Sequence, residues 1–162
     1  MDKKLKDLIE DQINKELWSA YIYYDMAEFY RARGLDGFHH YFEKQAHEEY
    51  EHAEKFAEYL QDLGVAFEMK PIAAPGYKYH DFRDPLVTQL EHEKLVTSLI
   101  EKIYAESVAL KDYKTTAFLT WYINEQFEEE KIAKDLLDKF DLFAKDDKAM
   151  LYKLDKELGE RK

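Results

Sequence analysis

Four glutamates and one histidine carry the chemistry most easily read from this sequence. Glu16, Glu49, Glu93 and Glu129 each fall on a stripe of otherwise apolar or aromatic residues. His52 follows Glu49 at i+3, a spacing that puts both side chains on one helix face. A buried ionised carboxylate without a partner costs several kcal/mol, and four in one place also repel one another. No Lys or Arg shares these stripes, so two divalent cations are the simplest way to balance four carboxylates. Mostly carboxylate oxygen with one nitrogen suits iron(II) or manganese(II). Calcium would want more oxygens and an irregular loop, and structural zinc more His or Cys. A solvated helix face would account for any one of these glutamates alone. It does not account for four at one level of apolar seams.

Long helices must position them. Seams of 3,4 spacing run Leu5, Ile9, Gln12, Glu16, Ser19, Tyr23, Met26, Tyr30, then Phe38, Phe42, Gln45, Glu49, His52, Phe56, Leu60, Leu63. Two more run Leu86, Leu90, Glu93, Thr97, Ile100, Tyr104, then Thr115, Leu119, Tyr122, Gln126, Glu129, Ala133, Leu136, Phe140. Punctuation comes from Gly34 and Gly37, Gly64, the Pro71 to Gly76 segment, and Asp84-Pro85 as an N-cap and first-turn proline. The pattern predicts a single all-α domain over 1–162, with helices at about 3–33, 36–63, 84–110, 113–140 and 147–158. Helices of ~27 residues span about 40 Å. Short links make two antiparallel hairpins. The connection over about 65–83 is long enough to run the length of a bundle, which makes the second and third helices parallel. In such a four-helix bundle with one crossover and a short fifth helix, helix midpoints meet, and the four glutamates converge inside.

Composition narrows the partners. Five Gly and three Pro in 162 residues fall well below the roughly 19 of average usage, against a turn-rich sandwich or barrel. Thirty-five acids against 24 bases give a net charge of −11. That field repels phosphates, disfavouring nucleic acid and anionic membranes, and favours cations. The absence of Cys removes disulfides, Cys zinc sites and iron–sulfur clusters. No apolar run reaches the ~18 residues of a membrane span, and the first residues lack a secretory apolar stretch, so a cytoplasmic location is expected.

A second acidic set borders the first. Glu48 precedes Glu49, and Glu125 shares a helix face with Glu128 and Glu129 at i+3 and i+4. Such like charges repel without a cation, so a third metal position beside the pair is one reading and an exposed acidic stripe the other. Tyr23 lies one heptad beyond Glu16, where it can hydrogen-bond a ligand or pass an electron, or simply pack. Trp121 beside Tyr122 reads as packing. His39, His40, His47, His80 and His92 lie off the seams and read as surface or interface residues.

These residues resemble the non-haem bacterial ferritins, through INKELWSAYIYY, QAHEEYEHA, LEHEKLVT, FLTWYINEQFEEEK and LDKELG in the correct order. The resemblance implies a ferritin-like bundle, cages of 24 subunits, oxidation of ferrous iron with dioxygen or peroxide, and storage of ferric mineral. It implies Glu16, Glu49 and His52 at a first iron position, with Glu49 bridging to a second held by Glu93 and Glu129 beside Gln126. It implies a third site at Glu48, Glu125, Glu128 and Glu129, and places Tyr23 and Trp121 next to the centre. Phe127 stands where relatives often carry His, and Trp18 where Tyr is more usual. Tyr50 stands where bacterioferritins carry their haem-ligand methionine, so no haem is expected. Gln126-x-x-Glu129 replaces the second Glu-x-x-His of substrate-oxidising di-iron enzymes. An oxygenase acting on an organic substrate is therefore the alternative reading, and a metal-free helical interaction protein a third.

Overall fold

The computed structural model describes all 162 residues, in five α-helices without strands. Asp2 caps α1 (Lys3–Arg31), its side chain accepting from the Lys4 and Leu5 N–H groups at 2.8 and 3.3 Å. Those donors have no intrahelical partner, which is why an acid serves there. Gly34, at φ +79°, lets the chain reverse after α1, and Leu35 N–H returns to Tyr30 O at 3.1 Å. Gly64, at φ +67°, does the same after α2 (Asp36–Asp62). Pro85 sits in the first turn of α3 (Asp84–Ala109), and Asp112 caps α4 (Tyr113–Lys139) by accepting from Thr115 N–H.

The connection over 65–83 has no regular structure and lies along α1. Asn14 Nδ2 donates to the Lys70 and Pro71 carbonyls, Trp18 Nε1 to Ala74 O, and Tyr30 OH to Phe82 O. Loop and helix advance together, so the connection carries the chain back to the end where α2 began. α3 therefore runs parallel to α2 and antiparallel to α1, and Lys4 of α1 accordingly pairs with Glu106 near the end of α3 at 2.5 Å.

Two apolar clusters fill the bundle. One contains Ile22, Met26, Tyr30, Phe38, Phe42, Leu86, Leu136 and Phe140, with Tyr30 stacked on Phe38 at 4.7 Å between ring centroids. The other contains Leu5, Ile9, Phe56, Leu60, Ile100, Ile103, Leu119 and Tyr122, with Phe56 stacked on Tyr122 at 4.0 Å. Between them lies a buried polar layer.

Three features depart from the sequence expectations. On α3, Gln89, His92, Val96, Ile103 and Ser107 are buried, whereas Leu90, Thr97 and Tyr104 are only partly so. This helix packs against both α1 and α4, so its buried stripe is wider than one seam. His92 is accordingly a core residue, 3% exposed, and not a surface one. After α4 the chain continues through a π-helical turn, Phe140–Ala144, that tucks Phe140 and Ala144 inward.

The fifth helix, α5 (Lys148–Leu158), is capped by Asp147 and has its own dock in the subunit. Its short apolar face alone suggests little to bury against. Yet Leu154 joins the first apolar cluster, and the buried Asp155 accepts from Phe38 N–H at 2.9 Å. Leu35 gives α2 no side-chain cap, so a residue of α5 supplies it. Close approach requires Gly37, because a Cβ there would lie 1.6 Å from the Asp155 carbonyl oxygen.

Candidate metal centre

The polar layer contains Glu16 and Gln12 from α1, Gln45, Glu49 and His52 from α2, Glu93 from α3, and Gln126 and Glu129 from α4. All are at most 5% exposed. Their ligand atoms form two triads, each within 4.8 Å: Glu16, Glu49 and His52, and Glu49, Glu93 and Glu129. Glu49 belongs to both. Four helices converge here because each brings its glutamate to the same level between the two apolar clusters.

Glutamine amides orient three of these carboxylates. Gln12 Nε2 donates to Glu16 at 2.8 Å, Gln45 Nε2 to Glu129 at 2.7 Å, and Gln126 Nε2 to Glu93 at 3.1 Å. The Tyr23 hydroxyl also donates to Glu93. These bonds fix the direction of the carboxylates without neutralising them. In this arrangement Gln126 supports Glu93 through its N–H.

Within this layer two buried atoms have no partner, Glu16 Oε2 and His52 Nδ1; elsewhere Glu28 Oε1, Tyr79 OH, Gln89 Oε1 and His92 Nδ1 are also unpaired. His52 Nδ1 lies 3.3 Å from Glu49 Oε2 but outside hydrogen-bonding geometry. An unpaired polar atom in a dry interior is costly, and both atoms belong to residues of the first triad. A cation between them would satisfy both, so the donor set fits a metal.

Proton affinities carry the same strain. Burial pushes Glu16 well above the carboxylate range, and the Glu49 charge adds to the rise. Burial, then the Glu93 charge, raises Glu49 to about 7. Glu93 is raised to about 8 by burial and by Glu129, and Glu129 to about 7, again chiefly by burial. Burial opposes the charged form of His52, but Glu125 and Glu49 outweigh it and hold the imidazole up to about 11. Protons can thus stand in for cations in this layer, and a metal binding there would have to displace them.

The outer acids are arranged differently. Glu48 and Glu125 are partly buried and share an open, mostly acidic cleft with His52, Glu51, Glu58 and Trp121. Glu125 Oε1 lies 3.7 Å from His52 Nε2, and Glu48 is paired with Arg161 at 2.9 Å. Glu128 is exposed and does not line the cleft. Trp121 packs edge-on to His52 at 5.4 Å, with Lys55 over its ring.

His92 is the residue that seam reading missed. Its Nε2 meets Ser19 Oγ at 2.7 Å, and its ring packs edge-on to Tyr23 and Trp18. Burial, with the Lys15 charge, lowers it to about 4, so it is neutral. A signal existed, because Gln89, His92, Val96, Ile103 and Ser107 form a second helical stripe beside the chosen one.

Fold and polar layer together define a class: helical bundles with clustered carboxylates and a histidine in the core, an arrangement known for ferritin-like proteins. The Ferritin-like domain family model matches residues 6–143, and the chain belongs to that family. A probable bacterial non-heme ferritin-like protein of Haemophilus influenzae is 34% identical over 159 residues, covering 98% of this chain and 96% of the relative. A bacterial non-heme ferritin of Campylobacter jejuni is 32% identical over 142 residues, covering 88% and 85%. The open pore ferritin of the hyperthermophilic archaeon Archaeoglobus fulgidus superposes with a TM-score of 0.97 at 33% identity, covering 100% of this chain and 99% of that one. No helix here is long and apolar enough to cross a membrane.

Proposed function

We propose that this iron-storage ferritin is a ferroxidase, oxidising ferrous iron at the buried centre and retaining the ferric product inside a cytoplasmic cage of 24 copies. The observation that supports this best is the pair of triads sharing Glu49, with Glu16 Oε2 and His52 Nδ1 left unpaired. Four carboxylates balance two ferrous ions. Glu16 and His52 would hold one, Glu93 and Glu129 the other, and Glu49 would bridge them.

Carboxylate oxygen stabilises the ferric state over the ferrous, so the ligand set favours electron loss once iron is bound. Each ferrous ion gives up one electron. A pair reduces one dioxygen to hydrogen peroxide, or one peroxide to two waters, with two protons taken up. Gln12, Gln45 and Gln126 hold carboxylate oxygens in place, and Tyr23 holds Glu93. The cleft beside His52 is lined mainly by charged residues, which suits a third iron in transit and gives an organic substrate little apolar surface. Glu48 and Glu125 would hold that third iron, with Glu129 reached from within and Glu128 joining by a side-chain movement.

Aerobic ferrous oxidation, followed by the absorbance of the ferric product, tests the reading. Wild-type protein should oxidise two irons per subunit in a fast phase, and Glu49→Ala or His52→Ala should abolish that phase. An unchanged fast phase in either variant would refute the assignment. Sedimentation should show a particle near 24 × 19.4 kDa.

A further inference from the structure

Beyond Gly159 the chain folds back over α2 and delivers a guanidinium to the edge of the metal centre. Arg161 Nη1 donates to Tyr41 O at 3.0 Å and to Gln45 Oε1 at 3.2 Å. Its Nη2 donates to Glu48 Oε2 at 2.9 Å. The guanidinium also lies 4.8 Å from the Tyr41 ring centre, and Arg161 O meets His40 Nε2 at 2.5 Å. Tyr41, Gln45 and Glu48 are spaced at i, i+4 and i+7, so the fork grips one face of α2 across two turns. The Arg161 side chain is 21% exposed and that of Glu48 42%.

Two of these contacts lead to the metal centre. Gln45 accepts from Arg161 through Oε1 and donates through Nε2 to Glu129. Glu48 shares the acidic cleft with Glu125 and His52. One fixed positive charge thus touches a third-site acid directly and a buried ligand through a single amide. Lys55 also lines that cleft, over the Trp121 ring, but Arg161 supplies the one Lys or Arg nitrogen within 4.0 Å of Glu48, and none lies that close to Glu125.

We propose that Arg161 is a tethered cation that occupies Glu48 while the third metal position is empty, and must withdraw when a metal binds there. This rests on reading Glu48 and Glu125 as a third cation position. A divalent ion and a guanidinium cannot share Glu48 Oε2 at close range, because their charges repel and they compete for the same lone pairs. Competition makes the third position weaker than the same acids alone would be. Metal held there is released more readily.

Calorimetric titration of the assembled protein with Zn2+, which is redox-inert, tests this. Wild type should show tight binding at the inner centre, then a weak step. In Arg161→Gln the weak step should tighten about fivefold at low salt, and the gap should close near 1 M salt, where the Debye length is about 3 Å. Arg161→Lys, which keeps the charge and loses the fork, should fall between. Glu125→Gln should remove the weak step. If Glu125→Gln removes it while Arg161→Gln leaves it unchanged or weakens it, Arg161 is not a competitor and the third position stands. If no protein shows a weak step, both the third position and the competition fail, while the tight steps still report the inner centre.

Discussion

This chain buries acids in two places, and the two behave in opposite ways. In the central layer Glu16, Glu49, Glu93 and Glu129 face one another, and Glu16 Oε2 has no partner at all. At the junction of α5 and α2, Asp155 is also buried, yet its Oδ1 accepts the Phe38 N–H of an otherwise uncapped helix. A helix N-terminus offers free donors and a partial positive charge, so it satisfies one carboxylate by itself. Gln12, Gln45, Gln126 and Tyr23 donate to three of the central four, but these neutral donors leave four carboxylates facing one another. Burial alone therefore does not mark a metal site. In the central layer burial comes with an unpaired oxygen and mutual repulsion, a combination that a bound cation would relieve.

The sharpest way to break this contrast is to remove a central carboxylate. Glu49→Ala should lower the rate of ferrous oxidation by about 100-fold or more, since even outer-shell changes cost ~10–100-fold at metal sites. Asp155→Ala should leave the fast phase in place. Equal losses in both would erase the distinction.

The next effect is on pH dependence. Glu49, Glu93 and Glu129 bind protons more tightly folded than unfolded, with values raised to about 7, 8 and 7. The folded metal-free chain thus carries more protons from about pH 4.5 to 8, and its stability falls as pH rises through that window. His52, raised to about 11, acts in the same direction, and its contribution is lost as pH rises towards 11. Denaturant unfolding of metal-free protein should show stability declining between pH 4.5 and 8 by more than the roughly 3 kcal/mol that one such carboxylate contributes alone. Saturating Zn2+ should largely cancel it. A metal-free stability that rises across this window would contradict the strained central layer.

Gly37→Ala and Asp155→Ala probe the other region. The added methyl of Gly37→Ala would overlap the Asp155 carbonyl, so α5 must shift, at a cost of about 2–3 kcal/mol. Asp155→Ala removes only a cap, worth about 1 kcal/mol. Thermal unfolding should rank them in that order. The smallest effect should come from exposed ion pairs such as Lys131–Asp135. Lys131→Ala should leave the melting temperature without a resolvable change.

Much of the centre was legible before any coordinates. Each of Glu16, Glu49, Glu93 and Glu129 interrupts an apolar seam, and His52 sits one turn from Glu49. Helix ends were partly open to reading: Gly34 and Gly64 reverse the chain and Pro85 lies in the first turn of α3, but Arg83 and not Asp84 is the N-cap residue there, because Asp84 is already helical. His92 was only partly legible: it shares a visible stripe with Gln89, Val96, Ile103 and Ser107, but packing against α1 and α4 together decides that this stripe is core. Arg161 was not, because it lies 113 residues from Glu48 and carries no periodic signal.

Periodicity determined the helices, their punctuation and the level at which acids enter the core, since these depend on residues three or four apart. Tertiary structure alone decided which oxygens remain unpaired, since that depends on what other helices bring. Gln12 meets Glu16 from its own helix. Gln45 meets Glu129 and Gln126 meets Glu93 only across the bundle, and Asp155 meets Phe38 only because α5 folds back over Gly37. A residue's type sets the charge it brings, and the fold sets whether that charge finds a partner.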